Sequence, residues 1–117
     1  MKATDTSMSN MTDQDKFRKA YKLITVDIAK GQNLTQEASE QKLEEAFRLL
    51  SHVCQRDETA HEAFGLRARC NYHFGDFQRA LYDYSVAIRL CEAAALKEPH
   101  SDKYKRKLGE YYNYAGV

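Results

Sequence analysis

The chain has 117 residues, 43% apolar and 30% charged, which allows one small domain built of thin helical layers with much solvated surface. Eighteen basic residues against seventeen acidic ones leave a net charge of +1, excluding a global attraction to nucleic acid or to an anionic membrane. No signal-peptide core or membrane-length apolar run occurs, and three cysteines without framework spacing make no disulfide scaffold, so a cytoplasmic protein is expected.

Residues 1–12 are polar and without a period, and read as a disordered tail. Thr12 offers a helix N-cap, with Asp13 and Asp15 favourably placed in the first turn. Phe17, Tyr21, Ile24 and Ile28 recur at helical spacing, flanked by Leu23, and Gly31 is a natural stop, which predicts a helix over about 13–30. Gln32 to Thr35 form a short loop. A second helix follows over 36–56, with Leu43, Ala46, Phe47, Leu50 and Val53 on one face. Asp57 is the expected cap of a third helix over 58–74. Gly75 can take the left-handed conformation that ends it, and Asp76 can cap a fourth over 77–97. Pro99-His100-Ser101 breaks the chain, and a fifth helix runs from Asp102 to about Tyr114. One proline and five glycines fit this all-α reading.

The stretch 60–91 carries the strongest pattern. Ala68, Ala80 and Ala87 stand where two helices must touch, and Phe64, Phe74, Phe77, Tyr84 and Leu90 fill the spaces between. A hairpin of this kind cannot bury its apolar face alone. Phe64, Ala68, the Gly75-Asp76-Phe77 corner, Ala80, Tyr84 and Ala87 together resemble the tetratricopeptide repeat (TPR), a helical hairpin of about 34 residues. Asn71 departs from the pattern, where an aromatic is usual, and so does Glu92, where a proline would end the repeat. Upstream, Leu43, Ala46, Leu50 and Val53 precede Phe77, Ala80, Tyr84 and Ala87 by 34 residues each, a phase that stacked hairpins need. Lys30 and Gln41 break the agreement, so the first hairpin is degenerate or differently built. Tyr112 and Gly116 resemble the aromatic and small residues of a further repeat. The expected architecture is a short TPR-like array of about five helices over 13–117, forming an N-terminal module or a fragment of a longer protein.

The resemblance implies a non-catalytic adaptor that holds a protein or peptide partner in a groove lined by the first helix of each repeat. The groove positions are Glu62, Gly65, Arg69, Tyr72 and His73. Arg69 can pair with a carboxylate, Tyr72 can stack on a side chain, and His73 can bond a peptide backbone. The Lys and Asn set with which some TPR domains clamp a chaperone's terminal carboxylate is not supplied. Two further readings stand beside the adaptor: self-association through the C-terminal helix, and a TPR appendage of an enzyme or co-chaperone.

His52, Cys54, Cys70 and His73 invite a zinc reading, but His52 and Cys54 are two apart and point to different sides of a helix. Lys97, Lys103, Lys105, Arg106 and Lys107, interleaved with Tyr104, form a basic run that suits an acidic partner or a nucleic-acid backbone. Glu98, Asp102 and Glu110 dilute it, and nucleic acid is not expected. No phosphate loop, nucleophile elbow or paired metal motif occurs, so no catalytic residue, metal or cofactor is expected. Asp83 reads as a solvated charge.

Overall fold

Thr12 starts the first helix as its composition demands. Its Oγ1 accepts a hydrogen bond from the Asp15 amide at 3.0 Å, satisfying one of the donors that a helix N-terminus leaves open. The computed structural model describes residues 10–28, 34–57 and 59–116. All regular structure among the described residues is helical: α1 (Asp13–Lys22), a π-helical segment (Leu23–Ile28), α2 (Gln36–Arg56), α3 (His61–His73), α4 (Phe77–Lys97) and α5 (Asp102–Ala115). The fold is all-α, and no described helix is long and apolar enough to cross a membrane. The tail over residues 1–9 and the Gly31 stop lie outside the described residues. The contacts divide the chain into two compact units at the Arg56–Asp57 boundary.

In the first unit α1 and α2 pair in antiparallel fashion. Arg56 Nε lies 3.1 Å from Asp13, Lys19 Nζ 2.9 Å from Glu45, and Lys42 Nζ 3.8 Å from Asp27. Ala20, Leu23 and Ile24 are buried, as are Leu43, Ala46, Leu49, Leu50 and Val53 of α2. Thr35 caps α2, accepting from the Ala38 amide. The apolar stripe of α1 differs from the expected one: Tyr21 is 48% exposed, while Lys16 and Ala20 are buried. The β-branched run Ile24-Thr25-Val26 sits in the π-helical segment, where an extra residue per turn rotates the following side chains off the α-helical stripe.

In the second unit α3 and α4 meet at the Gly75-Asp76 corner. Gly75 takes φ +84°, open to glycine at no steric cost, and Asp76 accepts from the Arg79 amide. Ala68, Ala80, Tyr84, Ala87 and Cys91 form the core with Tyr104 and Tyr111 of α5. Tyr84 stacks on Tyr114, Tyr112 Oη donates to Glu92, and Cys91 Sγ donates to the Tyr104 carbonyl, so α4 and α5 also run antiparallel. The expected cap Asp57 is used differently: it accepts from the Thr59 amide and hydroxyl, and α3 begins four residues later, at His61. Within the 34-residue phase, Ala46, Leu50, Val53, Ala80, Tyr84 and Ala87 are all buried. Leu43 is buried too, but its counterpart Phe77 is 61% exposed. Tyr111 takes the buried place expected of Tyr112, and Gly116 caps α5 instead of serving as an interior small residue.

Candidate functional site

The expected groove residues sit in two places. Glu62 is exposed at the start of α3, with its carboxylate 3.8 Å from Lys107 Nζ of α5. Gly65 is not open to a ligand. It lies beneath the Tyr111 ring, and a β-carbon there would stand 2.5 Å from Cε1. Arg69 is half-buried, its guanidinium 5.8 Å from the centre of the Tyr114 ring. Tyr72 and His73 are both exposed at the far end of the helix, where Tyr72 is edge-on to Phe77 with centroids 5.2 Å apart. Glu62, Gly65 and Arg69 thus face α5, whereas Tyr72 and His73 belong to the corner.

These contacts rise together along both helices: Glu62 with Lys107, Gly65 with Tyr111, Arg69 with Tyr114. Consequently α3 and α5 run parallel, separated in sequence by α4. At their N-terminal ends they leave a cleft of about 410 Å³ lined by His61, Glu62, Lys103, Tyr104, Arg106, Lys107 and Glu110. Two of its lining residues, His61 and Tyr104, present rings. His61 Nδ1 lies 2.9 Å from the Tyr111 hydroxyl, and the imidazole is edge-on to both Tyr104 and Tyr111. Tyr104 Oη donates to Glu98, while Lys103 Nζ sits 4.9 Å above the Tyr104 ring.

Among the described residues, charge in the cleft is mixed but leans positive, with three cations against two carboxylates. Lys107 is shared between Glu62 and Glu110. Neither Lys103 nor Arg106 has a carboxylate partner among the described residues. Burial holds the His61 imidazole below its usual 6.5, Lys107 and Lys103 press it further down, and Glu62 opposes them. The spacing of Lys103, Arg106 and Lys107 at i, i+3 and i+4 already puts them on one helix face in the sequence. What the sequence does not show is that His61 and Glu62 stand opposite.

Asp83 is not solvated. It is 2% exposed and accepts from Arg67 Nε and Nη2, each at 2.9 Å, and from Asn71 Nδ2 at 3.0 Å. Asn71 is itself buried, and its amide serves this carboxylate. Cys54, Cys70 and Cys91 are buried and form no disulfide, and among the described residues no three His, Cys, Asp or Glu side chains gather as a metal site. Comparison of the chain with protein-family models, with curated proteins and with solved structures yields no match.

Proposed function

We propose that the protein is a non-catalytic interaction module, with α3 and α5 forming the walls of a groove that holds a peptide or helix of a partner protein. The observation that carries this reading is the parallel pairing of α3 and α5, whose apolar faces are occupied by the core while their N-terminal ends leave a polar cleft of about 410 Å³. The resemblance of residues 60–91 to a TPR hairpin supports the same reading, because that architecture presents its first helices to a ligand. Tyr72, 56% exposed beside His73, extends the binding surface toward the corner.

Affinity capture from cell extract followed by mass spectrometry tests this. The wild-type chain retains a defined partner, and Tyr72→Ala combined with Glu62→Lys loses it while its melting temperature is unchanged. Retention by the double variant, or no partner on the wild type, rejects the reading.

One observation favours self-association as a second reading: Phe77 and Leu81, at i and i+4 on α4, are 61% and 52% exposed. Light scattering across a concentration series separates the two, since a concentration-independent monomer rules out self-association.

A further inference from the structure

We infer that the cleft between α3 and α5 receives an extended acidic peptide segment, with Lys103 and Arg106 holding two carboxylates that lie two residues apart along it. The inference rests on the interaction-module reading above and names the chemistry of its ligand.

Spacing is the first reason. Side chains three apart on a helix surface are roughly 5–6 Å from one another. Alternate side chains of an extended peptide project to the same side at roughly 6.6 Å intervals. Lys103 and Arg106 therefore match carboxylates at i and i+2 of a strand laid along α5. Availability is the second reason. Lys107 is occupied by Glu62 and Glu110, so it braces the wall, while Lys103 and Arg106 line the cleft, both exposed and without an ion-pair partner among the described residues. Lys103 is steered by the Tyr104 ring, which lowers the ordering cost of binding. Arg106 offers the planar fork that takes a carboxylate through two parallel bonds.

The same wall disfavours a nucleic-acid strand. Glu62 and Glu110 would repel a continuous phosphate chain, and Tyr104, the tyrosine lining the cleft among the described residues, is buried, so no base can stack on it. A peptide can place its carboxylates at the two cations and uncharged residues against the glutamates.

Titration of the isotope-labelled 117-residue chain with an acetylated, amidated peptide of alternating glutamate and serine tests the inference by NMR. Its controls are a lysine–serine peptide of equal length and a short oligothymidylate. The acidic peptide should give saturable shifts at His61 and over the first turns of α5, weakening as salt rises. Lys103→Gln with Arg106→Gln, both exposed and outside the core, should reduce affinity at least tenfold. Bound carboxylates should raise the titration midpoint of His61 in the wild type and leave it unmoved in the double variant. Absence of saturable shifts, full affinity in the variant, or tighter binding of the oligothymidylate overturns the acidic ligand. If the captured partner is lost by Tyr72→Ala with Glu62→Lys but kept by the Lys103 and Arg106 variant, the acidic ligand falls and the module reading stands.

Discussion

Arg67 grips Asp83 as a fork, Nε and Nη2 each 2.9 Å from a different carboxylate oxygen, and the pair joins α3 to α4 inside the second unit. Asn71 donates to the same carboxylate, so a residue 2% exposed accepts three hydrogen bonds. Removing one partner of a buried pair leaves an uncompensated charge, which costs about 3–5 kcal/mol. Asp83→Ala should destabilise the unit by roughly that amount in urea unfolding. Arg67→Met, Asn71→Leu and Asp83→Leu together should recover most of the loss, because an apolar replacement also avoids the desolvation. A cost below about 1 kcal/mol for Asp83→Ala would show that the carboxylate is not held as described.

Gly65 should respond to alanine with a sign opposite to the helical rule. An interior helix glycine replaced by alanine normally gains up to about 1 kcal/mol. Here the added β-carbon meets the Tyr111 ring at 2.5 Å, and that ring is buried and bonded to His61. Overpacking of this kind costs about 1–3 kcal/mol, so Gly65→Ala should lower the melting temperature. In a Tyr111→Leu background the same substitution should become neutral or stabilising. Thermal unfolding of the four combinations decides it.

Stability should fall as pH drops through the histidine range. The His61 imidazole is held below 6.5, chiefly by burial, so the unfolded chain binds a proton more readily than the folded one. Its contribution is complete above about 6.5 and is lost as pH falls toward the lower folded midpoint. His61→Gln, which keeps a polar partner for Tyr111, should flatten the dependence of melting temperature on pH between about 7 and 5. An identical slope in the variant removes His61 as its source.

The thiols should be inert in the folded chain. Burial pushes Cys70 up to about 12 and raises Cys91 as well. At pH 8 the thiolate fraction of Cys70 is then on the order of one in ten thousand. Iodoacetamide at pH 8 should modify none of the three cysteines in native protein and all three in guanidinium, read by intact mass. Rapid native labelling at Cys70 would place that residue in water.

Much of this was open to reading before any coordinate. The bounds of α2 and α4 follow from apolar periodicity and breakers, and the α3–α4 corner from glycine and aspartate, because these signals act within a few residues of chain. Asp57 misled for the same local reason: an Asx turn onto Thr59 and an N-cap look alike in sequence. Tyr21 misled because its ring fits an apolar stripe by period alone, whereas the buried face of α1 runs through Lys16 and Ala20.

Helical class, the alanine contacts at Ala68, Ala80 and Ala87, and the basic face of α5 were set by the amino-acid order alone, since period and side-chain size are local properties. Tertiary structure alone decided that Asp83 is buried against Arg67, that Tyr111 and not Tyr112 covers Gly65, and that His61 and Glu62 stand across a cleft from Lys103 and Arg106. Those relationships depend on the rotation and register of helices far apart in the chain, which packing of the whole unit determines.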